Sequence, residues 1–291
     1  MLKISNAEVG GFEGAFRGMR NPKNSWDKSD SYFGFVGEWF DEIDPVVDAW
    51  VYKEKPDIEW TSTEYYDLLD KYTNWLCDVG TIDRFPEGFQ AAFLGPKDLK
   101  LAQTLIGAGT EHGKFLRQIY VSMDITAPLY WWKEMDTYKI GTTADSQSTM
   151  HKLMEKEFTQ GDFNFDYPKW GMDKFTIWQS GYGSGNYCPF TIDGATIDDI
   201  EIWLIHICNK LREQYLGSSD PSEKEYCWRA LVQILPSAYK QTRTWTANYA
   251  VLRNIYFQRK NHKLIEWHEF CDQIKALPWA EELICFKGEK G

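Results

Sequence analysis

A short stretch near the C-terminus carries the polar residues whose spacing has the clearest chemical meaning. Asn248, Leu252, Ile255 and Arg259 lie 4, 3 and 4 residues apart, so on a helix they share one face. Arginine can fork onto a carboxylate or phosphate, and asparagine can read the edge of a heterocycle. The spacing indicates a site for a planar anionic ligand. The alternative is a helix with a salt-bridged Arg259 and an Asn248 cap.

The segment from Lys114 to Ile125 alternates between apolar and polar residues, which is typical of a half-buried strand. Its apolar face comprises Phe115, Ile119, Val121, Met123 and Ile125. Arg117 falls on this same face, and a buried arginine is rare unless it is paired or contacts a ligand. We therefore expect Arg117 either to form an ion pair with Glu111 or to belong to the site.

Composition narrows the classes of partner. The formal net charge is −11, which argues against non-specific nucleic-acid binding because that needs a basic face. A local basic pocket for a small anion stays possible. The sequence has no apolar run of membrane-spanning length and no signal-peptide core, its cysteines lack a CxxC pattern, and its histidines favour no zinc site. We expect a cytoplasmic protein with reduced thiols, no metal and no membrane contact.

Length and local signals predict how the chain is organised. With 291 residues it is large enough for one substantial core. We predict a single domain, 1–291, with an irregular N-terminal extension (1–60), an aromatic and Gly-rich insertion (157–197) and a C-terminal helical part (198–285). Ser222-x-x-Glu225 predicts a capping box in the last part. The extension also holds a cationic cluster that is either a phosphate loop or a solvated loop, formed by Arg17, Arg20, Lys23 and Lys28.

Eight residues near the C-terminus form a wider pattern, namely Leu235, Pro236, Trp245, Thr246, Asn248, Leu252, Asn254 and Arg259. This pattern resembles the C-terminal part of the flavin-dependent thymidylate synthases, where Leu-Pro precedes an aromatic-Thr-x-Asn and a helix ending in arginine. Upstream, Glu111-His112-x-x-Phe115 is similar to the family's Glu-His-x-x-Phe. The resemblance implies an α+β fold with a central antiparallel sheet flanked by helices.

The chain departs from the family in its central motif, an Arg-His-Arg that holds the flavin and the nucleotide phosphate. In the matching region, Tyr130 to His151, no arginine remains. Either Trp131-Trp132-Lys133 or Thr137-Tyr138-Lys139 stands in its place, and Ser146 and Ser148 match the family's serine positions. The chain thus resembles a divergent branch of the family, and it looks like phage or prophage proteins.

The resemblance also implies ligands and partners. The family uses FAD and NADPH to carry a one-carbon unit from methylenetetrahydrofolate to C5 of dUMP, in homotetramers with active sites between subunits. We therefore expect a homo-oligomer that binds a pyrimidine nucleotide. The residues expected at this cleft are Arg259, Asn248, Asn254, Arg117, His112, a lysine (Lys133 or Lys139) and a serine (Ser146 or Ser148).

A protein of a different class fits the same sequence. It would be a catalytically inactive phage protein on the same fold, which binds and inhibits a host factor in the bacterial cytoplasm. An acidic surface and the 14 tryptophans would serve such an interface, because tryptophan is enriched at interface hot spots. Colour separates the two hypotheses, since a purified flavoprotein is yellow.

Overall fold

The computed structural model describes residues 1–35, 47–48, 50–52, 54–78, 90–148, 152–165 and 197–288. The chain divides into two compact units. Unit 1 comprises Met1, Thr126–Thr137 and Ser146–Arg243, and unit 2 comprises Leu2–Ile125, Tyr138–Asp145 and Thr244–Gly291. The prediction of a single domain over 1–291 is not decided by this partition and stays a prediction.

The first part of unit 2 is regular where the sequence predicted irregular structure. Its elements are β1 (Lys3–Gly10), α1 (Phe12–Arg20), β2 (Tyr32–Phe35), α2 (Thr63–Asp78), β3 (Gln90–Phe93) and α3 (Pro96–Gly107). Strands β2 and β3 pair antiparallel, with Tyr32 opposite Phe93. The prediction of an irregular segment over 1–60 is wrong for the first 35 residues, because Phe12, Ala15, Phe16 and Met19 bury one helix face.

The predicted strand over Lys114–Ile125 is a strand in its second half only. A 3₁₀ helix covers Gly113–Gln118 and is followed by β4 (Tyr120–Pro128), α4 (Leu129–Met135) and β5 (Thr143–Ser146). Phe115 and Leu116 are both buried, which fits the three-residue turn of a 3₁₀ helix rather than the two-residue period of a strand. Val121, Met123 and Ile125 are buried, as the alternation predicted.

The C-terminal part contains a long strand among its helices. Its elements are α5 (Ile197–Gly217), α6 (Pro221–Ile234), β6 (Lys240–Asn248), α7 (Tyr249–Arg259), α8 (Ile265–Ile274) and α9 (Ala280–Leu283). The prediction that 198–285 is helical therefore misses β6, where Gln241, Trp245 and Ala247 are buried at the even spacing of a strand. None of the helices in the described ranges is long and apolar enough to cross a membrane.

The central sheet has four strands in the order β1-β4-β6-β5 and is antiparallel. Asp124 on β4 accepts hydrogen bonds from Thr244 Oγ1 on β6 at 2.6 Å and from Asn6 Nδ2 on β1 at 2.8 Å. These two hydrogen bonds, the one from Thr244 first, hold the pKa of Asp124 below its usual value. The α+β fold with an antiparallel sheet and helices is confirmed.

Unit 1 has its own apolar core beneath α5 and α6. The buried members are Leu153, Met154, Phe158, Phe163, Cys208, Leu231 and Tyr239. Asn209 on α5 ties the chain at Phe158 to this core, because its side chain accepts from the Phe158 N–H at 2.8 Å and donates to the Phe158 carbonyl at 2.9 Å. The predicted insertion over 157–197 lies outside the described residues from 166 to 196.

Asp220, rather than Ser222, caps α6. Its carboxylate accepts a hydrogen bond from the Ser222 N–H at 2.9 Å. Pro221 occupies the first helical position, where its missing N–H costs nothing, so the helix begins before the predicted capping box.

We expect Asp220→Ala to destabilise unit 1 by about 1 kcal/mol and Ser222→Ala to change its stability little, both measured by urea unfolding. Equal losses in the two variants would contradict this assignment.

Candidate functional site

The polar end of α7 is fixed by the junction between β6 and the helix. Asn248 is the last residue of β6, and its Oδ1 accepts a hydrogen bond from the Val251 N–H at 3.0 Å. Leu252 and Ile255 are fully buried, so the face predicted from the spacing does turn toward the core. Asn248 is therefore a helix cap, and its amide Nδ2 is left for other contacts.

A cavity of about 650 Å³ lies beside this junction within unit 2. Its apolar wall comprises Ile106, Leu116, Ile140, Ala250 and Val251. Its polar side chains are Thr110, Arg117, Asn248, Arg253 and Asn254, and backbone lines it at Gly109, Gly113 and Gly141. Three residues predicted for the site, Asn248, Asn254 and Arg117, thus meet at one cavity, and the described residues that line it include no carboxylate.

Both asparagine side chains present N–H groups rather than oxygens to this surface. The Asn248 Oδ1 is used by the Val251 N–H, and the Asn254 Oδ1 accepts from Gln258 Nε2 at 2.9 Å. Gly141 allows close approach to the first amide. It has a φ of +73°, and a Cβ there would lie 3.2 Å from Asn248 Nδ2. The amides therefore act as donors.

Arg117 is exposed, contrary to the prediction of a buried side chain. Its side chain is 55% exposed because it sits on the 3₁₀ helix and points away from the core. The expected partner is confirmed, since a guanidinium nitrogen of Arg117 lies 3.5 Å from the Glu111 carboxylate. Glu111 is itself 78% exposed. An exposed pair of this length contributes little to stability, so an anion can compete for Arg117 at low cost.

Arg253 is the lining residue that sequence reasoning missed. Its Nη1 donates to the carbonyl of Ile284 at 3.0 Å and to that of Phe286, and its guanidinium lies 4.7 Å from the centre of the Phe257 ring. Burial lowers the pKa of this guanidinium, which stays charged because arginine does not deprotonate in proteins. The sequence did offer one signal for its place in the lining, because Arg253 lies between the core residue Leu252 and the predicted site residue Asn254.

Arg259 is not among the described residues that line the cavity. Its Nε donates to Tyr138 Oη at 2.8 Å, and its guanidinium lies 4.7 Å from the centre of the Trp267 ring. Cations are attracted to the faces of aromatic rings. Arg259 is thus placed by two aromatic side chains, and a direct contact between it and a ligand stays a prediction.

Solved structures that are similar to this chain include a flavin-dependent thymidylate synthase. Two structures of this enzyme, ThyX from Helicobacter pylori, each with FAD and dUMP, have a TM-score of 0.44 with this chain. The first is 15% identical over 75% of this chain and 93% of that one. The second is 16% identical over 74% and 92%. Comparison of the sequence with protein-family models and with curated proteins finds no match. Similarity of this degree assigns no ligand and no residue role here.

The remaining predicted residues do not line the cavity. His112 is exposed just before the 3₁₀ helix, and Lys139 is exposed between Tyr138 and Ile140. Lys133 is exposed on α4. Ser146 is exposed at the end of β5, and Ser148 is half-buried. Their roles were taken from the family resemblance rather than from spacing, and they stay predictions.

Proposed function

We propose that the cavity in unit 2 binds a pyrimidine nucleotide of the uracil type. The observation that carries this proposal is the polarity of the lining. Asn248 and Asn254 offer amide N–H groups, Arg117 and Arg253 offer guanidinium groups, and none of the lining residues that the structure describes carries a carboxylate. Such a surface favours a ligand rich in hydrogen-bond acceptors and negatively charged.

A uracil nucleotide meets both requirements. The uracil ring presents two carbonyl oxygens, which can accept from the amides of Asn248 and Asn254. Cytosine replaces one of those oxygens with an amino group, which would face another donor and leave both unsatisfied. The phosphate pairs with Arg117, which in this structure forms only a weak, exposed ion pair with Glu111. A volume of about 650 Å³ lies within the usual range of ligand pockets.

A flavin shares the same keto-pyrimidine edge, so the amides alone do not distinguish it from uracil. The rest of FAD fits the lining poorly. In the part of the chain that the structure describes, no aromatic side chain lines the cavity to stack on the extended ring. FAD also carries two phosphates, and one of the two lining arginines already donates to carbonyl oxygens. We therefore assign the cavity to the mononucleotide and derive no step through FAD.

The lining is suited to binding more than to chemistry by its own groups. Among its described residues there is no histidine, carboxylate or cysteine, and Thr110 supplies the one side-chain hydroxyl, so these residues provide no general base. One-carbon transfer to C5 of the pyrimidine, which the resemblance implies, would depend on FAD, NADPH and methylenetetrahydrofolate. We propose nucleotide binding as the function and the transfer as a second question.

The test uses Arg117→Met with dUMP and deoxyuridine as paired probes. Loss of a charge-assisted hydrogen bond costs about 1.5–3 kcal/mol, so the Kd for dUMP is expected to rise about 10- to 150-fold. The Kd for deoxyuridine should stay the same because it lacks the phosphate. Isothermal titration calorimetry measures both. An absorption scan of the purified protein tests separately for flavin.

Arg229→Met is the matched control for this substitution. Arg229 forms an ion pair with Glu225 at the same 3.5 Å distance, and its side chain is 61% exposed, but it lies on α6 in unit 1. It should leave both affinities unchanged. If the unaltered protein does not bind dUMP at millimolar concentration, the proposal is wrong. If Arg117→Met weakens dUMP and deoxyuridine equally, Arg117 does not contact the phosphate.

A protein partner is the second candidate function, and exposed tryptophans favour it. Trp60 is 65% and Trp26 is 50% exposed on a chain with a net charge of −11. Large exposed aromatic side chains are typical of protein interfaces. In this version a phage or prophage protein that has lost the Arg-His-Arg motif binds a host factor. Homo-oligomer formation is likewise a proposal, supported by the family resemblance.

A further inference from the structure

A chain of hydrogen bonds connects Arg259 to the cavity. Arg259 Nε donates to Tyr138 Oη at 2.8 Å, Tyr138 Oη donates to Gln258 Oε1 at 2.8 Å, and Gln258 Nε2 donates to Asn254 Oδ1 at 2.9 Å. Asn254 lines the cavity. Every member of the chain belongs to unit 2. The chain therefore passes from a side chain packed on the core to a side chain that can touch a ligand.

The direction of each bond follows from the chemistry of the first residue. A guanidinium can only donate, so the Tyr138 oxygen accepts from Arg259 and the hydroxyl hydrogen is free to go to Gln258. The Gln258 carbonyl oxygen accepts it, which leaves the amide nitrogen as the donor to Asn254. The Asn254 oxygen is thereby occupied, and its N–H groups are the ones left for the cavity.

Arg259, the first member of this series of hydrogen bonds, is held by aromatic packing. The Arg259 guanidinium lies 4.7 Å from the centre of the Trp267 ring and 5.5 Å from that of Tyr138. Trp267 is completely buried and packs edge-to-face on Phe270 at 5.9 Å. If Arg259 moved away from Tyr138, its guanidinium would also lose its contact with the face of the buried Trp267 ring.

We propose that Tyr138 and Gln258 are positioning residues that set the ligand preference of the cavity, because they fix Asn254 as a hydrogen-bond donor. This inference rests on the proposed function. A fixed donor favours a carbonyl oxygen and disfavours an amino group at the same ring position. The expected result is preference for uracil over cytosine that depends on two residues which do not themselves line the cavity.

Gln258→Glu is the decisive variant because it reverses the direction of the hydrogen bond between residue 258 and Asn254 with little change of side-chain shape. A carboxylate offers only acceptors, so Tyr138 can still donate to the introduced carboxylate, but Asn254 must now turn its N–H groups toward that carboxylate. The Asn254 Oδ1 then faces the cavity and accepts from an amino group. We expect the ratio of Kd values, deoxycytidine over deoxyuridine, to fall by about 10-fold. Neutral nucleosides are used because the new charge would repel phosphate.

Two further variants separate positioning from a merely structural role. Tyr138→Phe removes the hydroxyl and frees the Gln258 amide to turn, so the ratio should move toward one without reversing. Gln233→Glu on α6 introduces the same charge at an exposed position in unit 1 and should leave the ratio unchanged. Each ratio is measured by calorimetry on the full chain, and urea unfolding confirms that each variant is folded.

The outcomes distinguish this inference from the function on which it rests. Preference for deoxyuridine in the unaltered protein, lost or reversed in Gln258→Glu, supports both. Preference for deoxyuridine that persists in Gln258→Glu overturns the positioning role and leaves uracil binding in place. Binding of neither deoxyuridine nor dUMP by the unaltered protein overturns both proposals together.

Discussion

Arg20→Met is expected to destabilise unit 2 by about 3–5 kcal/mol. Arg20 and Asp98 are 6% and 0% exposed, and the Arg20 guanidinium contacts Asp98 Oδ1 through Nε at 2.6 Å and through Nη2 at 2.5 Å. Removing the guanidinium leaves a carboxylate buried without its cation. The hydroxyls of Ser29 and Ser31 still donate to Asp98 Oδ2 at 2.6 Å each, but two neutral donors do not replace a charge.

Arg17→Met is the matched control, because Arg17 lies on the same helix but at the surface. Its side chain is 68% exposed, and it pairs with Glu13 at 3.9 Å. Exposed pairs contribute about 0–1 kcal/mol, so this variant should unfold at nearly the same urea concentration as the unaltered protein. If Arg20→Met loses no more stability than Arg17→Met, the buried pair contributes no more than a surface pair does.

The same pair shows why the N-terminal cationic cluster was open to two interpretations. Arg17, Arg20, Lys23 and Lys28 are close in sequence and give a loop the composition of a phosphate site. The partner of Arg20 lies 78 residues away, where no local pattern can reveal it. Once paired with Asp98 and buried, Arg20 is removed from any phosphate site. Sequence composition located the cations but not Asp98, the carboxylate that forms an ion pair with Arg20.

Elements with a strong local period were predicted well. The spacing of Leu252 and Ile255 placed the buried face of α7 correctly, because a helix repeats every 3.6 residues wherever it packs. Val121, Met123 and Ile125 likewise revealed β4. Over Gly113–Gln118 an apparent alternation concealed a 3₁₀ helix, since a few residues do not separate a period of two from a period of three. The wrong expectation that Arg117 is buried follows from that one error.

Of the predicted residues that line the cavity, Asn248 and Asn254 come from one segment and Arg117 comes from another. Asn248 and Asn254 meet at the cavity because α7 alone sets their separation. Tyr138, by contrast, lies 121 residues from Arg259, and its contact depends on how a loop folds against α7. No spacing rule connects them. The hydrogen-bond direction that is proposed to fix Asn254 as a donor depends on this long-range contact, so spacing in the sequence could not predict the proposed preference for uracil over cytosine.

Trp267→Ala is expected to cost unit 2 about 3–5 kcal/mol, because it empties a large space in the core. Trp267 is fully buried, and its ring contacts Phe270 and the Arg259 guanidinium. The same substitution removes one of the two rings that hold Arg259. We therefore expect the preference for deoxyuridine over deoxycytidine to weaken in whatever fraction stays folded, even though Trp267 does not line the cavity.

Trp267→Phe and Trp60→Ala separate these two effects. Phenylalanine keeps a ring face for Arg259 while leaving a smaller void, so it should lose less stability than alanine and retain the nucleoside preference. Trp60 is 65% exposed, and its replacement should change stability by less than about 1 kcal/mol. Urea unfolding followed by far-ultraviolet circular dichroism avoids dependence on tryptophan fluorescence. A Trp267→Ala protein that is destabilised but keeps its full preference for deoxyuridine would show that the Trp267 ring is not needed to position Arg259.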